Sequence, residues 1–166
     1  AVHEFGIPLI VDEAHGAHFG FHPYFPENAN QQGADVVIHS VHKTLPAPTQ
    51  TALLHMNGNL ADREAVRKYL HMFQSSSPSY ILMAGIDACM GLLETKADDL
   101  FSKYADRLQR TRKKLGKLKN LELEESEHFD RSKIVISTKN TMLTGKQLYE
   151  ELLEHYHLQM EMAAGA

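Results

Sequence analysis

A chain of 166 residues can bury one full hydrophobic core, or one and a half small ones. Its composition, 43% hydrophobic and 23% charged, is ordinary for a soluble globular protein, and a net charge of -4 carries no nucleic-acid footprint. No apolar run is long enough for a membrane span, no signal-peptide layout is present, and the single cysteine, Cys89, forms no internal disulfide, which fits a reducing, cytoplasmic setting.

Both ends read as cut. Residues 1–6 are patterned like the last turn of a helix stopped by Gly6. Residues 157–164 alternate like the start of a strand. A piece of a longer protein is therefore expected.

Residues 8–11 form a short continuous apolar run ending at Asp12, and residues 34–39, centred on Val36, Val37 and Ile38, form a second ending at Ser40. Continuous apolarity predicts strands buried on both faces, as in a parallel sheet. The Gly-, Pro-, Asn- and His-rich segment between them predicts a loop with a short helix over 27–32, the crossover that parallel strands need. A third strand is expected over 49–56, and Asn57-Gly58 is a turn signal able to close a hairpin.

Residues 59–72 are helical in pattern, with Asp62 and Glu64 early and Arg67 and Lys68 late. A polar loop over 74–79 precedes a long helical pattern from Tyr80 to about Lys119, with apolar positions at Ile81, Gly85, Cys89, Leu92, Leu93, Leu100, Tyr104, Leu108 and Leu115. Charge density rises after Glu94, which predicts a boundary between residues 1–95 and 96–166, with the helix buried before it and amphipathic after it. The basic run from Arg110 to Lys119 reads as a solvated face.

Strands are expected over 121–125 and 133–138. Thr144 and Gln147 fit a capping box opening a helix over 146–155. Met160 and Met162, in the final alternation, read as core. The fold class is α/β: a partial, mostly parallel sheet, a long linking helix, then a small α/β layer.

Open α/β sheets bind ligands beyond the carboxyl ends of their strands. The first strand delivers Asp12, Glu13, Ala14 and His15 to that edge, and a parallel second strand delivers Ser40, His42 and Lys43. With neighbouring strands ~4.8 Å apart, one flat ring can touch both. An acid at one end of a ring and an amine at the other is what pyridoxal phosphate requires: the amine forms a Schiff base, and the acid keeps the ring nitrogen protonated. Taken singly these residues are ordinary; only their combination points to that cofactor. A competing metal reading rests on His15, His18 and His22 with Asp12 and Glu13, but their spacing matches no fixed zinc pattern, and no metal is expected.

The segments Val-Asp-Glu-Ala-His-Gly-Ala-His from Val11 to His18 and Ser-Val-His-Lys-Thr-Leu from Ser40 to Leu45, with Ser-Pro-Ser-Tyr from Ser77 to Tyr80, resemble blocks of the Orn/Lys/Arg decarboxylase family of fold-type I pyridoxal-phosphate enzymes. The resemblance covers most of residues 7–95 and weakens beyond. It implies the large domain of that fold, with decarboxylation of arginine, lysine or ornithine. Lys43 then carries the cofactor, Asp12 pairs with the ring nitrogen, and Ala14 packs on a ring face. Ser40 and His42 lie near the phosphate, with His42 also a contact for substrate or ring. His15 lies near the ring hydroxyl, and Ser76 reaches the phosphate of a neighbouring subunit. Pro48 departs from the pattern, standing where a larger apolar residue is expected.

The family is dimeric or larger and draws a phosphate cup and a ring-stacking side chain from upstream of these blocks. Neither is found before Ala1, so the 166-residue chain alone is expected to be inactive. An aminotransferase, another lyase, or a non-catalytic interaction module keeping the fold are the alternatives. The quoted residues do not separate the three basic amino acids.

Overall fold

The structure, a computed structural model, describes residues 1–164 and divides into two compact units, Ala1–Ser102 and Lys103–Ala166. The first unit opens with a 3-10 turn, Val2–Phe5, ended by Gly6 at φ 67°. Its sheet has the order β1 (Ile10–Asp12), β2 (Val36–His39), β3 (Leu53–Met56). β1 and β2 are parallel, in a register that pairs Asp12 with Ile38, and β3 runs antiparallel to β2. All three expected strands are present, each shorter than its apolar run.

Burial differs between them. Val36 and Val37 of β2 are buried, and Val37 packs with Ala29, Ala34 and the partly buried Val11. β1 is not buried on both faces. Alternation turns Val11 toward that cluster and sends Ile10 and Asp12 to the other face, where Ile10 is 63% exposed.

The crossover contains no helix over 27–32. Asn28 starts a single turn, its carbonyl accepting from the amides of Gln31 (3.0 Å) and Gln32 (3.2 Å), and Gly33 at φ 84° leads the chain out into β2. His18, Phe19 and Phe25 pack ring on ring, and Phe21 stacks on Phe101 at 5.3 Å. Asp35 joins this layer to the amino end of the chain. Its carboxylate accepts from the Leu9 amide (2.8 Å) and His3 Nε2 (2.7 Å), and these bonds, the backbone one first, hold its pKa below the usual carboxylate value.

After β2 the chain makes an unanticipated four-residue helix, α1 (Val41–Thr44), with Ser40 at its N-cap and Val41 fully buried. Asn57-Gly58 closes no hairpin. The Asn57 amide donates to Asp35 O (2.8 Å), its side chain to Ala34 O (2.9 Å), and the chain continues into α2 (Arg63–Phe73). That helix begins later than its periodicity suggests because Asp62 caps it, accepting from the Glu64 and Ala65 amides.

α3 (Tyr80–Leu115) is one continuous helix. Its buried positions Cys89, Leu93, Phe101, Ala105, Leu108 and Arg112, with the half-buried Ala97 between the second and third, recur every three or four residues and so form one face. Its first turns are not buried: Tyr80 and Ile81 are exposed, the latter at 82%. Gly85 lies on the packed face, where an added Cβ would fall 2.4 Å from Pro48 Cγ. Glycine there admits the departing Pro48 ring. Gly85→Ala gains about 1 kcal/mol of helix propensity but forces contact with a rigid ring, which costs about 1–3 kcal/mol. A net loss of about 1 kcal/mol is expected in chemical denaturation, and a Pro48→Ala background should turn that loss into a gain.

In the second unit β4 (Glu122–Glu124) pairs antiparallel with β5 (Val135–Ser137), and α4 (Gly145–Tyr156) follows. The capping box is present: Thr144 Oγ1 accepts from Gln147 N (3.2 Å), and Gln147 Oε1 from Thr144 N (2.8 Å). No strand follows over 157–164. His157 adopts a left-handed conformation at φ 55°, and Gln159 Nε2 donates to Tyr149 Oη and Met160 O. Met162 is 79% exposed and is not core.

Arg112 is likewise not part of a solvated face. Buried at 8% exposure, it donates to Glu125 Oε1 through Nε (3.0 Å) and Nη2 (2.8 Å), and through Nη1 to the carbonyls of Arg131 (3.1 Å) and Lys133 (3.0 Å). Its guanidinium also lies over the Phe129 ring.

Candidate active site

The carboxyl ends of β1 and β2 lie side by side because the two strands are parallel. The ladder runs one residue past β1, with Glu13 N donating to Ile38 O at 3.0 Å. The chain then turns tightly. Asp12 Oδ1 accepts from Ala14 N (3.1 Å) and Glu13 O from Gly16 N (2.8 Å), which leaves Asp12 exposed, Ala14 half-buried and His15 exposed. From β2, the turn of α1 carries Lys43 back over the edge, its amide donating to Ser40 O (3.1 Å).

Lys43 and His15 meet: Nζ stands 3.2 Å from His15 Nε2. An ammonium has only donors, so the imidazole nitrogen accepts. His42 Nδ1 lies 2.8 Å from Thr51 O. A carbonyl only accepts, so His42 carries its proton on Nδ1, and in the neutral ring Nε2 is left as an acceptor. Ser40 is half-buried and its side chain makes no capping bond. One residue past Lys43, Thr44 Oγ1 is buried with no hydrogen-bond partner among the described residues.

The two strand ends therefore carry an amine and an imidazole in contact, with a carboxylate, a second imidazole and a hydroxyl within a few residues along the chain, groups whose chemistry suits a phosphorylated pyridine aldehyde. Ser76 stands apart in the exposed turn between α2 and α3, and no hydrogen bond joins it to the strand-end residues among those described. Three residues with a part in the geometry were not singled out from the sequence: His39, His55 and Thr51. Glu13 was read only as a strand-end neighbour of Asp12 and as a member of the competing metal reading. Its carboxylate accepts from Ala29 N and from His39 Nε2 at 2.7 Å. His39 Nδ1 in turn stands 3.1 Å from His55 Nε2. Burial, and then the proximity of His39, pushes the His55 pKa down, while Glu13 pulls it up. The available signal was period-two alternation: if Asp12 faces the ligand, Glu13 and His39 face away.

Among the described residues no group of three His, Cys, Asp or Glu side chains is placed to hold a metal ion, and His18 of the suspected cluster is packed among Phe19 and Phe25. No helix among them is long and apolar enough to cross a membrane.

Known proteins agree with the family blocks. The arginine decarboxylase of Bacillus subtilis (strain 168) is 32% identical over 169 residues, covering 97% of this chain and 34% of that protein. The uncharacterized protein YaaO of the same organism is 46% identical over 109 residues, covering 65% of this chain and 22% of that protein. The constitutive lysine decarboxylase of Escherichia coli (strain K12) is 28% identical over 121 residues, 68% of this chain and 17% of that protein. This chain thus spans about a third of the length of the arginine decarboxylase it matches. The sequence profile of the Orn/Lys/Arg decarboxylase major domain matches residues 1–161, so this chain belongs to that family.

Proposed function

We propose that this chain bears the cofactor lysine of a pyridoxal-phosphate enzyme that decarboxylates arginine, lysine or ornithine. The observation that carries the reading is the meeting of Lys43 and His15 at the strand edge that also presents Asp12. When bound, pyridoxal phosphate supplies an aldehyde for covalent capture of an amine and a protonated ring that accepts the electron pair left as the α-carboxylate departs.

Lys43 Nζ is the group that would hold the cofactor covalently. His15 Nε2 accepts from Lys43 and orients it. The Asp12 carboxylate keeps a proton on the ring nitrogen, since an opposite charge favours the protonated pyridine. Ala14 admits the ring face, where a larger side chain would clash. Ser40 and His42 serve the phosphate side, with His42 Nε2 free to meet substrate or ring. Ser76 completes the phosphate site of a second subunit, which makes the working protein a homodimer or larger assembly in the cytoplasm. The names of the arginine and lysine decarboxylases among the relatives support the substrate class.

The test is product analysis. Full-length protein, pyridoxal phosphate and each basic amino acid in turn are expected to release CO2 and the matching amine. Formation of a keto acid would instead make it an aminotransferase, and no turnover with any of the three would leave a non-catalytic module. The 166 residues alone, about a third of the length of the arginine decarboxylase relative, are expected to release no amine.

A further inference from the structure

Asp12 and Glu13 are consecutive on extended backbone, so their side chains leave the sheet on opposite faces. On the Glu13 face a chain of polar groups crosses all three strands. Glu13 Oε2 lies 2.7 Å from His39 Nε2, and His39 Nδ1 lies 3.1 Å from His55 Nε2. Both Glu13 oxygens also take the Ala29 amide, at 3.1 and 3.2 Å. The Glu13 and His39 side chains are only 11% and 9% exposed. Gly16 leaves the room for this, because a Cβ there would fall 2.5 Å from Glu13 Cγ.

The proton positions follow from the chemistry. A carboxylate only accepts, so His39 Nε2 is protonated and donates to it. In the neutral ring His39 Nδ1 is then an acceptor, and His55 Nε2–H donates to it. Burial first, and then the neighbouring His39, favour the neutral form of His55, while Glu13 opposes them.

Two of its three members adjoin residues of the proposed cofactor site: Glu13 stands between Asp12 and Ala14, and His39 precedes Ser40. We propose that Glu13, His39 and His55 are positioning residues, whose hydrogen-bonded chain ties the three strands from behind and sets where Asp12 and the Ser40-to-Lys43 segment stand. The proposal rests on the reading of Lys43 as the cofactor lysine. A packed core could hold the same strands without caring which nitrogen carries a proton, whereas a hydrogen-bonded clamp must care.

Glu13→Gln separates the two. The glutamine carbonyl can still take the Ala29 amide, but its NH2 can only donate to His39. His39 must then move its proton to Nδ1, and His55 must become the acceptor. The experiment combines ring-nitrogen NMR of histidine-labelled full-length protein with pyridoxal-phosphate titration, borohydride reduction and peptide mapping of the label on Lys43.

The parent is expected to show His39 protonated on Nε2. Glu13→Gln is expected to show the proton on Nδ1 and near-parent labelling of Lys43. Glu13→Ala is expected to need about tenfold more cofactor for equal labelling, as loss of a hydrogen bond to a charged group implies. Should Glu13→Ala not fold, His55→Leu, which removes only the last donor, is expected to weaken labelling in the same direction.

Unchanged labelling in Glu13→Ala, or in His55→Leu where the first does not fold, overturns the positioning role alone. So does a parent His39 with Nε2 unprotonated. A parent that takes no label on Lys43 overturns the cofactor reading and the positioning role with it.

Discussion

Lys43→Ala is expected to abolish the visible absorption band of pyridoxal phosphate bound to the full-length protein, and to lower amine production by on the order of 10³-fold or more, as removal of a covalent nucleophile does. The side chain is exposed and its polar contact is with the exposed His15, so stability should stay within about 0.5 kcal/mol of the parent. That pairing of a large functional loss with a negligible structural one gives the test its force. Lys43→Arg keeps the positive charge opposite His15 but is no nucleophile at working pH, and should lose the band equally. Retention of the band in Lys43→Ala, with the label mapped to another lysine, would remove Lys43 from its role.

The largest structural effect is expected at Arg112. Arg112→Met keeps most of the volume and removes every donor. Glu125 is half exposed, at 51%, and water can take over its oxygen, so little is lost there. The carbonyls of Arg131 and Lys133 are different, because each loses a charged donor within a part-buried contact. At about 1.5–3 kcal/mol per lost hydrogen bond to a charged group, offset by the better burial of methionine, a net loss of about 2–3 kcal/mol follows. The place to look is hydrogen exchange of the amides in β4 and β5, which should lose protection by roughly thirtyfold or more at that cost. Arg112→Lys should fall between, since an ammonium can serve one carbonyl but not span both and the carboxylate. Equal protection in all three proteins would show that the buried guanidinium contributes no net stability.

Sequence pattern conveyed the elements better than their environments. Val36-Val37-Ile38 read as a strand because β-branched side chains in a continuous run suit a pleated, buried surface, and β2 is that strand. The Thr144–Gln147 box was legible because its two bonds are local and need only the right pair three residues apart. What failed depended on distant partners. Ile10 looked as buried as Val37, since apolarity records the capacity for burial and not whether another element lies above. Arg112 looked like its basic neighbours, because the carbonyls that claim it come from Arg131 and Lys133, far along the chain. The crossover looked helical over 27–32, but Gly33 ended it after one turn.

The candidate site divides in the same way. Asp12, Ser40 and Lys43 were visible because strand ends and family blocks coincide there, and the structure joins His15 to Lys43. Ser76 remains a reading from resemblance, set in its own exposed turn. The role of Glu13 was hidden by a more conspicuous neighbour.

That adjacency carries a consequence for how this segment can vary. Two acids in a row look interchangeable to any measure built on charge or composition, and exchanging them, Asp12→Glu together with Glu13→Asp, would leave both unaltered. Yet the rear acid must reach an imidazole on the next strand. Shortening it by one carbon–carbon bond, ~1.5 Å, opens a 2.7 Å contact past hydrogen-bonding range. The front acid would meanwhile protrude by the same length from the opposite face of the sheet. Order, not content, is what this dipeptide has to keep.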